Sequence, residues 1–237
     1  MGAFTRYRMI AAFLVSAASI LAPAETGETQ ISLGRENLCV TEGEIGSDTA
    51  NHLTVETTKM RAYANTWTAD AIYAHFTYIG GTAEESALGS GIVRRQFGLK
   101  LRAQNACNLI YAMWRIEPES KIVVSVKKNP GQSTSAECGN QGYQNIKPSH
   151  TGTVPALKPG ETHTLGAELH GGALRVLVDG NPVWEGDLGP ELSGLTNGPV
   201  GIRSDNVHLA FDLSAGASTG PHPHYRLACR TGPGVSD

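Results

Sequence analysis

The chain has 237 residues, with 19 Lys and Arg against 22 Asp and Glu, a net charge of −3. So mildly acidic a chain lacks the basic footprint of a nucleic-acid binder. After the amino-terminal stretch, no apolar run approaches the roughly 20 residues that a membrane-spanning helix needs.

That stretch reads as a secretory signal. Arg6 and Arg8 form a positive n-region, residues 9–21 an apolar h-region, and Ala22-Pro23-Ala24 an A-x-A cleavage site. Removing residues 1–24 takes away two Arg and leaves 17 basic against 22 acidic side chains, or −5. The remaining 25–237 is long enough for one all-β domain. The expected location is secreted or periplasmic, with no stable membrane insertion after signal cleavage. Cys39, Cys107, Cys138 and Cys229 all lie in the mature chain. An even number in an exported protein favours two disulfides. Three pairings are open; Cys107 with Cys138 and Cys39 with Cys229 is the preferred one. No C-x-x-C is present, which argues against a redox motif or a zinc ribbon.

In chain order, residues 52–63 alternate with period two, with Leu53 and Val55 on one side and Thr54 and Glu56 on the other. They read as one half-buried strand. Residues 70–79 read as a second, with Ile72, Ala74, Phe76 and Tyr78 on one face and Tyr73, His75 and Thr77 on the other. Residues 82–91 read as a loop or a single helical turn. The stretch 96–128 then carries three strand-like runs joined by short turns, an antiparallel meander. Phe97, Leu99 and Leu101 alternate with Gly98, Lys100 and Arg102. The middle run sets Leu109, Tyr111, Met113 and Arg115 against Ile110, Ala112, Trp114 and Ile116. The third sets Ile122, Val124 and Val126 against Val123, Ser125 and Lys127. The middle run is apolar on both faces.

Residues 129–159 read as a long loop pinned by Cys138. It carries Glu137, Asn140, Gln141, Tyr143 and Asn145. A structural disulfide loop is the preferred reading, and a lid or binding loop the other. Strands follow at 164–169, 173–179 and 183–184, with Asp179-Gly180 as a hairpin turn. The last strands fall at 198–203 and 207–213, split by Ser204-Asp205-Asn206. A short closing strand is expected at 225–229. Many short strands with little helical periodicity predict an antiparallel two-sheet sandwich of jelly-roll type.

Residues 161–213 run HTLGAEL, then LRVLVDGNPVWEG, then GPVGIRSDNVHLAFDL. This order of features resembles the concanavalin A-like lectin/glucanase superfamily, especially its laminin-G-like secreted members. The resemblance implies a jelly roll. It carries no single function, because the fold hosts lectins, hydrolases, lyases and adhesion modules. The glucanase E-x-D-x-x-E motif is absent from the chain.

The strongest candidate site is the polar side of the meander. If Phe97, Leu99 and Leu101 face the core, Lys100 and Arg102 face away. The same side is expected to show Tyr111, Arg115 and Lys127, with Tyr73 and His75 from the preceding strand. That would be a basic, aromatic-lined concave face on an acidic chain. Arg grips carboxylates through two parallel hydrogen bonds. The expected function is a glycan-binding, lectin-like module for an acidic polysaccharide. One alternative is a polysaccharide lyase or hydrolase on the same face, since a Tyr or His near an Arg-neutralised carboxylate can take the adjacent proton. The other is an adhesion protein binding a protein partner. The sequence carries no cofactor motif. His222 and His224 lack a third metal ligand, so no metal is expected.

Overall fold

The computed structural model of the chain describes residues 1–2, 29–49 and 51–216. The expected signal segment, the strand at 225–229, His222, His224 and Cys229 lie outside them, apart from Met1 and Gly2.

The architecture is two antiparallel sheets packed face to face. One has nine strands: β1 (Gln30–Ser32), β3 (Gly46–Ser47), β4 (His52–Val55), β6 (Ala71–Gly81), β11 (His150–Thr151), β12 (Thr162–His170), β13 (Ala173–Val178), β14 (Asn181–Asp187) and β16 (Val207–Gly216). Its order is β11-β14-β13-β12-β6-β16-β4-β3, with β1 also pairing with β16. The other has seven: β2 (Leu38–Glu42), β5 (Lys59–Thr68), β7 (Arg95–Asn105), β8 (Asn108–Glu117), β9 (Lys121–Lys127), β10 (Tyr143–Asn145) and β15 (Pro199–Asp205). Its order is β10-β9-β8-β7-β15-β5-β2.

Alternation explains the packing. Ile72, Ala74 and Phe76 of one sheet meet Phe97, Leu99, Ala112 and Trp114 of the other in one continuous buried cluster. Phe76 crosses the interface, with its ring centroid 5.2 Å from Phe97 and 5.7 Å from Trp114, edge-on to the latter. Aromatic pairs in this arrangement contribute beyond their buried area, by about 0.5–1.5 kcal/mol each. The indole N–H of Trp114 donates to Ser120 Oγ at 2.9 Å, so its burial leaves no orphan donor. The β13–β14 hairpin turns at Asp179 (φ 52°) and Gly180 (φ 77°), the two left-handed residues of a type I′ turn.

Two expectations are corrected. Residues 52–63 are not one strand. β4 lies in the nine-stranded sheet and β5 in the seven-stranded one, and the chain crosses between them. The inward positions shift from 53 and 55 to 60, 62 and 64, and that flip in parity marks the crossing. The loop 129–159 also holds more structure than expected: a turn of helix α1 (Ser135–Cys138), then β10 and β11. Thr134 and Glu137 cap α1 reciprocally. Cys107 and Cys138 are bonded, as preferred. Cys39 is buried and also disulfide-bonded.

Candidate functional site

The outer face of the seven-stranded sheet is built from the strand positions that the core leaves over. In register across β9, β8, β7 and β15 they give one row of Val123, Met113, Gly98 and Arg203 and another of Ser125, Tyr111, Lys100 and Gly201. Gly98 matters here. A Cβ at that position would strike the Ala112 carbonyl oxygen and Met113, so only glycine lets Met113 lie across the strand. Beside it, the Arg203 guanidinium carbon lies 5.2 Å from the Tyr111 ring centroid.

Above this floor two chain segments form walls around a cavity of about 300 Å³. That is at the lower end for small-molecule sites. Leu88, Gly89, Ser90 and Arg94 line one wall; Asn140, Tyr143 and Asn145 line the other; Gln96, Tyr111, Met113, Arg115 and Arg203 lie beneath. Among the described residues, no Asp or Glu lines the cavity.

Each wall is fastened by a buried polar side chain. Asn206 (φ 55°) holds the first. Its amide accepts from Ser86 N at 2.9 Å and donates to the carbonyls of Ser86 and Arg94 at 2.8 and 3.0 Å. Both ends of the wall are thus pinned to the β15–β16 turn. Lys127 holds the second. Its Nζ donates to the carbonyls of Ala106 at 3.1 Å and Gly139 at 2.9 Å. Asn129 adds donations to the carbonyls of Cys107 and Gln141 at 3.2 and 3.0 Å. With the Cys107–Cys138 bond, these tie β10 to the sheet edge.

The charges divide into two groups. Asp205 is fully buried and accepts from Arg61 at 2.5 Å, Gln96 at 2.7 Å and Arg203 at 3.0 Å. Burial pushes its pKa up, but Arg203, Arg61 and the Gln96 hydrogen bond outweigh this and hold it at about 2. Arg203 is therefore already neutralised. Burial lowers its pKa, yet Asp205 and the tyrosines raise it well above the ordinary value. Arg94 and Arg115 differ. Among the described residues neither forms an ion pair. Arg115 Nε is buried without a hydrogen-bond partner. Burial and the neighbouring Arg94 charge lower the Arg115 pKa. Two like charges thus sit together, with no anion between them among the described residues.

Tyr143 completes the site. It is 40 % exposed. Its ring stacks on Tyr111 with centroids 6.0 Å apart, and Lys127 Nζ lies 5.1 Å from its centroid. Its hydroxyl accepts from Arg203 Nη1 at 3.3 Å. Burial pushes the phenol up; the Arg203 and Lys127 charges and the Arg203 hydrogen bond prevail and hold it below its usual range.

Of the seven ligand residues expected from sequence, Tyr111 and Arg115 line the cavity. Lys100 shares the face but is 0 % exposed, so it supports the floor rather than reaching solvent. Lys127 is 2 % exposed and is used up holding the wall. Arg102 is corrected. The register slips between Leu101 and Asn105, and Arg102 has φ 48°, which turns its side chain away toward Asp70 Oδ1 (3.3 Å) and the Leu195 carbonyl (2.9 Å). Tyr73 and His75 are corrected too. They lie on β6 in the other sheet, with the core between, bonded to Glu168 at 2.8 Å and Thr164 at 3.1 Å. The sequence reading missed Arg94, Gln96 and Arg203. Asn140, Tyr143 and Asn145 were on its second candidate loop. The adjacent pair Arg94-Arg95 was a usable signal. Arg95 pairs with Glu85 and Glu117, and Arg94 does not.

No protein-family model matches the sequence, and no curated protein matches it. Among solved structures, a carbohydrate-binding module, CBM66 from Bacillus subtilis, superposes with a TM-score of 0.53 at 12 % identity, over 77 % of this chain and 96 % of that one. A Bacillus subtilis protein of unknown function with a galectin-like fold gives 0.48 at 11 % identity, over 76 % and 88 %. The galectin LEC-6 of Caenorhabditis elegans gives 0.40 at 13 % identity, over 73 % and 100 %. At these identities the likeness concerns the fold: the chain is an antiparallel jelly-roll sandwich built like that carbohydrate-binding module.

Proposed function

We propose that the protein is an extracytoplasmic glycan-binding module that takes an acidic glycan in the cavity of the seven-stranded sheet. One observation carries the reading. Among the described residues, Arg94 and Arg115 lie side by side without a carboxylate, in a cavity that no acidic side chain of those residues lines. A carboxylate or sulfate placed there would relieve their repulsion and satisfy buried donors. Charge-assisted bonds of this kind are worth about 1.5–3 kcal/mol each. The Tyr143 ring offers an apolar surface for a sugar face, and Asn140 and Asn145 offer amides to hydroxyls.

The likeness to a carbohydrate-binding module supports the same reading. So does the disulfide, which is consistent with an oxidising compartment. The reading includes a cleaved signal over 1–24, one domain over 25–237, and a Cys39–Cys229 bond. It also places the chain with the laminin-G-like members of the concanavalin A-like superfamily, because the V-D-G turn joins β13 to β14 and G-I-R lies on β15. Calorimetric titration with uronate and sulfated oligosaccharides tests it. Binding that weakens with salt and falls about 10–100-fold in Arg115→Met is the expected result. Equal binding of a neutral glycan would contradict it.

A further inference from the structure

We propose that this cavity also cleaves its glycan, by β-elimination on a 1,4-linked uronate, with the Tyr143 hydroxyl oxygen as the base. The inference rests on the acidic-glycan reading above and adds an activity to it. Three observations meet at one place. Tyr143 is the exposed aromatic of the cavity, fixed by its stack on Tyr111 and by the fastened β10. Its oxygen receives a hydrogen bond from Arg203, and Asp205 locks that guanidinium from the other side. Arg94 and Arg115 line the same cavity with unspent charge.

The chemistry needs these parts. The proton on C5 of a uronate is only weakly acidic. Its loss becomes accessible when the neighbouring carboxylate is held against positive charge, because negative charge moves onto that carboxylate as the C–H bond breaks. Arg94 and Arg115 supply this. The Tyr143 phenolate takes the C5 proton. The released electron pair forms the C4=C5 double bond, and the bond from C4 to the glycosidic oxygen breaks. The departing oxygen takes the proton from Tyr143 and becomes a hydroxyl. No water is consumed and nothing is oxidised or reduced overall. A phenol ionises near pH 10 when unperturbed. Arg203 and Lys127 lower that value, so more of the base form is present at neutral pH.

The test incubates the full mature protein with alginate, polygalacturonate and chondroitin. It follows the ultraviolet absorbance of the unsaturated uronate, with calorimetry alongside. Wild type is expected to bind at least one polymer and to generate absorbance, with a rate that climbs with pH along a limb centred below the ordinary phenol value. Tyr143→Phe keeps the ring stack and removes the oxygen. It should melt like wild type, bind within about threefold, and lose about 100-fold or more of the rate. Binding without absorbance would overturn the elimination and leave the glycan-binding reading standing. No binding to any of the three would overturn both. Absorbance that survives in Tyr143→Phe would remove Tyr143 from the role of base.

Discussion

The two outer faces of the sandwich look alike as sequence and differ as chemistry. Both alternate polar side chains with core residues. On the nine-stranded sheet the polar side chains satisfy one another: Tyr73 with Glu168, His75 with Thr164, Thr77 with Thr162, and Arg175 with Glu185 at 3.0 Å. That face is complete without a ligand. On the seven-stranded sheet, Lys100 and Lys127 are buried, Arg61 and Arg203 share one carboxylate, and Arg94 and Arg115 have none among the described residues. Unmatched charge marks a site, and the count of basic residues on a face does not.

This contrast can be broken at several depths. The largest effect is expected at Asp205. Replacing it with Asn leaves Arg203 without a carboxylate among the described residues and Arg61 with only Glu42, at 3.8 Å, and removing one member of such a buried group costs about 3–5 kcal/mol. Chemical denaturation measures the loss. The pH dependence has a definite sign. The folded pKa of about 2 lies below the unfolded value, so the contribution of Asp205 is present above about pH 4 and is lost as the pH falls toward 2. The shift corresponds to about 2 kcal/mol. Acid unfolding of wild type should show this loss between those values, and Asp205→Asn should not.

Next is the double variant Cys107→Ala/Cys138→Ala. The bond closes a separation of 31 residues. Chain entropy predicts a loss of about 3–4 kcal/mol. Binding should weaken along with stability, because the wall carrying Asn140, Tyr143 and Asn145 hangs from that bond. A drop in melting temperature with full affinity would show that the wall is held without it.

Arg115→Met reverses the usual pattern. It removes an uncompensated, partly buried charge, so the protein should melt at or slightly above the wild-type temperature. Its affinity for an acidic glycan should fall about 10–100-fold. The smallest effect is expected on the other face. Arg175→Ala and His75→Ala disturb exposed, locally matched groups and should stay within about 0.5 kcal/mol with affinity unchanged.

The strands were legible because alternation and turn chemistry are local. Phe97-Gly98-Leu99 and Asp179-Gly180 declare themselves within a few residues. The crossing between β4 and β5 is hidden because alternation holds on each side of it, and only the change in inward parity between 55 and 60 tells. The site was half legible. Tyr111 and Arg115 follow from alternation along β8. The slip after Leu101 carries Arg102 away, which no spacing argument reveals. Proximity in sequence sets Tyr73 and His75 beside the meander, but proximity in sequence does not decide sheet pairing. β6 pairs instead with β12 and β16, strands distant in sequence. Long-range pairing likewise brings Arg203 to the cavity and Asn206 to the wall it pins. Asp205-Asn206 read as a turn, and it is one, but its side chains also hold the buried charge cluster and pin a wall.

The most direct test of the central claim is a calorimetric comparison of one bound uronate oligosaccharide with its carboxyl-reduced counterpart, on wild type, Arg115→Met and His75→Ala. Unmatched arginines as the recognition element predict that wild type and His75→Ala bind the uronate alone, and that Arg115→Met binds it about 10–100-fold more weakly. Equal affinity for the reduced sugar, or loss of binding in His75→Ala with Arg115→Met unaffected, would contradict it.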